Sequence, residues 1–439
     1  MYFVLNDKGE LMTETQKYKN PETILLHAAY RHDKDTNSVA VPIYPSTAFV
    51  FDSLDKAADL FSLKAEGNIY ARLSNPTSDI LEKRMAEFEG GSAALSVSSG
   101  QSASLLAVLN LCSCGDNFVA SKDLYGGTFN LFFHTLKNMG IEVRFADPDD
   151  LDTFRKATDD KTRCYFAETT PNPRINVFPI SDVAAIAKEY GIPLIIDNTC
   201  TPMLCRPFDH GADVVVYSAT KYVGGHGNSL GGIIIEKGDF PWREYAARFP
   251  SMTEPDESYH GQVWCDMGNV AFIMRARLVL MRDLGCAMSP FNAWLMIQGL
   301  ETLPLRMRAH SENAAKVAAF LSRHDKVNKV IYPSIATGRQ KEISEKHLKG
   351  GFGGLMAFEL KGGLDAGKKF MGALKLFYHV TNLGDTRSLA THPAATTHAQ
   401  LSREAKLAMG ITDGYIRLAI GIEHVDDIIA DLKQALDKV

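Results

Sequence analysis

Apolar residues fall along this chain in two alternating rhythms. Short, β-branched runs bounded by turn residues predict strands over 93–97, 117–120, 141–145, 163–167, 193–197, 213–217 and 232–236. Between several of them the period lengthens. Val183, Ile186, Ala187 and Tyr190 share one face of a helix over 180–190, and Leu81, Met85 and Phe88 do so over 78–89, with Thr77 or Ser78 as its cap. This alternation predicts an α/β fold with a mostly parallel, seven-stranded sheet. The pattern restarts near Gly299. Ala314, Val317, Ala318 and Leu321 mark a helix, 355–360 and 415–420 read as strands, and Val425, Ile428, Ile429, Leu432 and Leu436 mark a last helix. The expected organisation is therefore an N-terminal arm over 1–72, a large domain over 73–299 and a smaller C-terminal α/β domain over 300–439. The arm is rich in Pro, Tyr and Ser with few helical periods, as suits an extended segment lying against another subunit. Its first 20 or so residues read as a loosely held leader.

Composition narrows the possibilities. At 439 residues, 45% hydrophobic and 23% charged, the chain can bury a large core. A net charge of −5 with scattered Lys and Arg points away from nucleic acid and anionic membrane, and toward a small-molecule substrate. No apolar run approaches the roughly 18 residues of a membrane span, and the N-terminus lacks the order of a signal peptide, so a cytoplasmic enzyme is expected. The seven cysteines are odd in number and mostly in apolar surroundings, which predicts reduced core thiols. Cys112 and Cys114 are too close together for a usual zinc knuckle, so no metal is expected.

The chemistry concentrates where strand 213–217 breaks into Ser218-Ala-Thr-Lys221-Tyr-Val-Gly-Gly-His226. Lys221 sits just past a strand end, where open α/β sheets bind ligands, and Asp197 closes another strand at the same edge. Alone, each reads as an ordinary loop lysine or strand-end aspartate. Together, with hydroxyl residues before Lys221 and Gly224, Gly225, Gly227 and Gly231 after it, they suit pyridoxal 5'-phosphate (PLP). That cofactor needs an amine to hold its aldehyde as a Schiff base and a carboxylate to keep its pyridine nitrogen protonated. Ser98-Ser99-Gly100-Gln101 opens a helix after a strand, a phosphate-binding arrangement that capping alone would also explain. Tyr125, followed by two glycines, suits stacking on a ring or packing in a core equally well, and Asn172-Pro173 reads as a turn. Tyr70 and Arg72 alternate on one face of an extended segment, and the arginine fork suits phosphate. Arg417, inside an apolar strand, is expected to meet a carboxylate.

These stretches resemble the PLP-dependent enzymes of Cys/Met metabolism, the group containing cystathionine γ-synthase, methionine γ-lyase and O-acetylhomoserine sulfhydrylase. The likeness runs from about Thr23 to the C-terminus. It implies the fold type I of PLP-dependent transferases. It also implies roles. Lys221, Tyr125 and Asp197 would be catalytic, and Gly100, Gln101, Ser218 and Thr220 would hold the cofactor phosphate, with Tyr70 and Arg72 reaching the phosphate of a neighbouring subunit. Asn172 would reach the phenolic oxygen of PLP, Tyr125 would stack on its ring, and Arg417, supported by Asn382 and Thr397, would hold the substrate α-carboxylate. The implied assembly is a dimer sharing its active sites, paired further into a tetramer.

Within the group, Arg282-Asp-Leu-Gly, Ser289-Pro-Phe-Asn-Ala-Trp, Gln298-Gly-Leu-Glu-Thr-Leu-Pro-Leu-Arg306, His392-Pro-Ala-Ala-Thr-Thr-His398 and the insertion over 238–267 look like the O-acetylhomoserine sulfhydrylase branch. That branch implies conversion of O-acetyl-L-homoserine and sulfide, or a small thiol, to homocysteine or methionine and acetate. Methionine γ-lyase and cystathionine γ-synthase activities are the alternatives, and Gly127, where the lyases carry Cys, argues against the first. The run Asp197-Asn-Thr-Cys-Thr-Pro202 is one residue shorter than is usual in the family, which bears on substrate preference. From a different class, Gly227-Asn-Ser229-Leu-Gly231 matches the nucleophile elbow of serine hydrolases, but a strand is expected after it where that elbow needs a helix.

Overall fold

The computed structural model describes residues 18–397, 399 and 402–439. Most of the expected leader, and His398, lie outside the described residues. Seven strands form the larger sheet: β1 (Ala93–Val97), β2 (Asn117–Ser121), β3 (Glu142–Ala146), β4 (Thr162–Glu168), β5 (Leu194–Asp197), β6 (Val214–Ser218) and β7 (Gly232–Glu236), in the order β1-β7-β6-β5-β4-β2-β3. Every predicted strand is present, each boundary within one residue. Their apolar runs are continuous because both faces are covered: Val214, Val215, Val216, Ile233, Ile234 and Ile235 are all buried.

The described chain forms two compact units, one of residues 18–113, 213–220 and 229–301 and the other of residues 114–212, 221–228 and 302–439. In the first, β7 runs antiparallel to both β1 and β6. In the second, β2 pairs with β3 and β4, and β4 with β5, all parallel. The second unit also holds a five-stranded sheet, order β10-β11-β12-β9-β8, made of β8 (Val327–Ile331), β9 (Leu355–Leu360), β10 (Tyr378–His379), β11 (Leu389–Thr391) and β12 (Tyr415–Ala419). On one face of β12, Ile416 and Leu418 pack with Met356, Phe358, Ile428 and Leu432. Successive side chains alternate, so Arg417 projects from the other face.

Three local readings need correction. The helix after the arm is Pro76–Glu89, and its cap is Asn75, whose side chain accepts the Thr77 N–H at 3.0 Å. Pro76 takes the first helical position, where its missing N–H would be unpaired anyway and its fixed φ suits the helix, so the cap falls on Asn75. The arm contains two short helices, Pro21–His27 and Leu54–Phe61, the second capped by Ser53 on the Lys56 N–H. Of the seven cysteines, all unpaired in disulfide terms, only Cys112, Cys164 and Cys205 are buried, and Cys114 is exposed. A single helix, Pro290–Leu321, runs through Gly299.

Candidate active site

Within the second unit, parallel strands deliver two acidic side chains to one edge. Glu168 and Asp197 end β4 and β5 and are register partners. Glu168 Oε1 accepts the Tyr125 N–H at 2.6 Å, and Asp197 Oδ1 accepts the Thr199 N–H at 2.9 Å. Burial raises both carboxyls above their ordinary range, the Glu168 group further because the Asp197 charge opposes its ionisation. Tyr125 itself is 49% exposed, at the start of the short helix Gly126–Asn130, so its ring is open to a ligand.

A second cluster joins an amine to a guanidinium. Lys221 Nζ donates to Asn382 Oδ1 at 2.5 Å, while Arg417 Nη2 donates to the Asn382 carbonyl at 2.6 Å and Nη1 reaches Asn172 Oδ1 at 3.4 Å. The expected carboxylate is not there: among the described residues Arg417 has no acidic partner, although it is only 3% exposed, and its Nε has no acceptor. A buried guanidinium held by neutral oxygens alone keeps a charge that no carboxylate of the described residues offsets. Burial, and then the Arg417 charge, hold the Lys221 amine below its ordinary pKa, which favours the neutral, nucleophilic form. The Cys200 thiol lies within electrostatic reach of Glu168, Asp197, Lys221 and Arg417. Thr397 lies exposed in the turn beyond Pro393–Ala395.

The loop carrying Lys221 is held from two sides. Arg306 donates to the carbonyls of Tyr222 at 2.7 Å and Val223 at 3.3 Å. Gly225 leaves room for this: a Cβ there would lie 2.3 Å from Arg306 Nη1. Opposite, the Thr386 N–H donates to the Gly225 carbonyl at 2.9 Å, and a Cβ on Gly384 would lie 2.6 Å from the Tyr222 nitrogen. Arg306 was not singled out from sequence. Its signal is its place on a buried stripe with Leu303, Met307 and His310, where a charge must have a task.

Within the first unit, Ser99 caps the helix Gly100–Leu109 through the Ser102 N–H, leaving the Gly100 and Gln101 N–H groups at the helix start. A Cβ on Gly100 would lie 2.5 Å from the Ser218 Cβ, so backbone amides and hydroxyl approach more closely than any other residue permits. The Thr220 hydroxyl accepts the Gly231 N–H at 3.1 Å. Tyr70 is 40% exposed with the Arg72 guanidinium over its ring, and Arg72 donates to the Arg282 carbonyl. Ser229 lies in a loop that runs directly into β7, so no nucleophile elbow forms.

Residues 22–437 match the family of Cys/Met metabolism PLP-dependent enzymes. The chain belongs to that family. It is 49% identical over 447 residues to the O-acetyl-L-homoserine sulfhydrylase of Leptospira meyeri, covering 99% of this chain and 100% of the relative. The homocysteine synthase of Schizosaccharomyces pombe is 44% identical, covering 95% and 98% of the two chains. Among solved structures, one from Campylobacter jejuni containing N'-pyridoxyl-lysine-5'-monophosphate superimposes with a TM-score of 0.93 at 45% identity, covering 95% of this chain and 100% of that one. A cystathionine γ-lyase from Lactobacillus plantarum, complexed with L-serine, gives a TM-score of 0.82 at 31% identity, over 96% and 99% of the two chains.

As a family member the chain is a PLP-dependent enzyme of fold type I, and its own residues fit that cofactor. Within the second unit a buried carboxyl at Asp197 suits a protonated ring nitrogen and an exposed Tyr125 face suits the ring; within the first, the Gly100 cradle by itself suits a phosphate. Among the described residues no helix is long and apolar enough to cross a membrane.

Proposed function

We propose that this enzyme replaces the γ-substituent of O-acetyl-L-homoserine with sulfide, or a small thiol, releasing acetate and homocysteine or methionine. The observation that carries the reading is the Lys221–Asn382–Arg417 cluster, which sets an amine of lowered pKa beside a buried guanidinium without a carboxylate. An α-amino acid has the complementary pair of groups. PLP, when bound, supplies an aldehyde for covalent attachment and a ring that takes up electron density from the α-carbon. Around it the chain's residues have distinct tasks. Arg417 takes the substrate α-carboxylate, with Asn382 and Thr397 in support. Lys221 removes the α-proton, its lowered pKa keeping it a competent base. Asp197 holds a proton at the ring nitrogen. Tyr125 stacks on the ring, and Asn172 bonds its phenolic oxygen.

Gly100, Gln101, Ser218 and Thr220 are proposed to hold the phosphate. Tyr70 and Arg72, exposed on the arm, are proposed to complete the phosphate site of a neighbouring subunit, so the working enzyme is a dimer that pairs into a tetramer. The arm over 1–72, the cofactor domain over 73–299 and the small domain over 300–439 are the functional divisions this scheme implies. The names of the relatives support the substrate choice, and a cytoplasmic location accords with their biosynthetic chemistry.

Incubation with O-acetyl-L-homoserine, with and without sulfide, tests the reading. Homocysteine formed only with sulfide is the expected result. Release of 2-oxobutyrate at the same rate in both would make the enzyme an eliminating lyase, and methionine its next substrate to test.

A further inference from the structure

Glu168 is a buried acid at this site to which the scheme above gives no task. It closes β4, is 6% exposed and stands opposite Asp197 in the β4–β5 ladder. Its Oε1 accepts the Tyr125 N–H at 2.6 Å, and the Asn172 backbone lies near enough to favour its charged form. One side chain therefore bonds the backbone of one residue assigned to the cofactor ring, lies near that of a second and faces a third. A solvent-exposed glutamate could not do this, since water would compete for the Tyr125 N–H.

The charge state suits the arrangement. Burial, then the neighbouring Asp197 and Asp123 charges, push the Glu168 carboxyl well above the ordinary range. A carboxyl shifted toward its neutral form still accepts the Tyr125 N–H, and it lessens the repulsion with Asp197. Its position is equally constrained. Tyr125 has no side-chain cap for the short helix it opens, so the Glu168 bond fixes where that helix, and the Tyr125 ring with it, begins.

We propose that Glu168 is a positioning residue, setting the Tyr125 backbone against Asp197 and thereby fixing the plane in which the cofactor ring is held. This rests on the reading that Tyr125, Asn172 and Asp197 surround PLP.

The test compares Glu168→Gln, which keeps an acceptor oxygen, with Glu168→Ala, which removes it, in protein reconstituted with PLP. Cofactor affinity by fluorescence titration, the visible circular dichroism per bound cofactor, and kcat and KM are read together, with the melting of the cofactor-free protein as a control for folding. In Glu168→Ala the visible dichroism should fall, cofactor affinity should weaken about tenfold and kcat should drop about 10- to 100-fold, with KM nearly unchanged. Glu168→Gln should stay within about threefold of the parent in each, because the replacement retains the acceptor. Unchanged dichroism and affinity in Glu168→Ala, or Glu168→Gln as damaging as Glu168→Ala, would overturn the positioning role. If Glu168→Ala does not fold, Glu168→Asp, one methylene short of the Tyr125 N–H, takes its place with the same expectations. Asp197→Ala separates the two levels of inference: a parental cofactor spectrum there overturns the cofactor reading itself, whereas an altered spectrum beside a silent Glu168→Ala overturns the positioning role alone.

Discussion

The Lys221 amine donates to Asn382 Oδ1 at 2.5 Å, and the backbone carbonyl of that same asparagine accepts from Arg417 at 2.6 Å. The side chain serves the amine and the main chain serves the guanidinium. Asn382→Ala removes only the first of these. Turnover should therefore fall about tenfold, the cost of losing one hydrogen bond that orients the amine, while KM for O-acetyl-L-homoserine stays within about threefold. Steady-state kinetics checks the split. A large rise in KM at constant kcat would mean that the Asn382 side chain, and not its carbonyl alone, supports carboxylate binding.

Arg417 is buried at the centre of the smaller sheet, between Thr391 of β11 and Ala357 of β9, with an Nε that nothing accepts. The desolvation of such a cation opposes folding unless an anion offsets it. Arg417→Met should consequently leave the cofactor-free protein as stable as the parent or more so. KM should rise at least about 100-fold, since a carboxylate partner of a buried charge contributes several kcal/mol. Thermal melting and KM, measured on the same preparation, check both halves. A marked loss of stability without a change in KM would make Arg417 structural.

Gly100 tests the phosphate cradle independently of the ring-side residues. An added methyl would lie 2.5 Å from the Ser218 Cβ and 2.8 Å from its Cα, and backbone at that distance cannot rotate away. Gly100→Ala should cost about 1–3 kcal/mol of packing and weaken PLP binding by at least about tenfold, because the displaced helix start carries the amides proposed to hold the phosphate. Fluorescence titration of the cofactor-free protein checks the affinity. Unaltered binding would move the phosphate site elsewhere.

What could be read from sequence followed from how strongly burial marks the chain. Strands covered on both faces leave continuous apolar runs, so β6 and β7 were legible, and Asp197 and Lys221 could be placed by counting just past strand ends. β8 was not: Asn328 and Lys329 are exposed, and an edge strand with polar residues has the composition of a loop. Arg417 was visible as a charge in an apolar strand, but its missing carboxylate partner is a fact of three dimensions. Glu168 and Arg306 escaped for a related reason. Each acts on the backbone of residues far along the chain, Tyr125 in one case and Tyr222 with Val223 in the other, and main-chain acceptors and donors leave no trace in residue identity.

Glu236 makes stability depend on pH in a direction opposite to that of most acids. It ends β7, is 3% exposed and accepts the N–H groups of Phe272 at 3.1 Å and Ile273 at 2.8 Å. Burial outweighs those two bonds and raises the carboxyl from 4.5 to about 8. Between those values the unfolded chain has released the proton and the folded chain retains it, so rising pH favours unfolding. The contribution is therefore complete below about pH 4.5 and lost as pH climbs through about 8. Glu236→Gln, neutral throughout, removes this dependence. The melting temperature of the parent should fall from pH 5 to pH 8 more steeply than that of the variant, with the two curves converging at the acid end. Parallel curves would mean that the carboxylate is already ionised in the fold, with the Phe272 and Ile273 N–H groups compensating the charge.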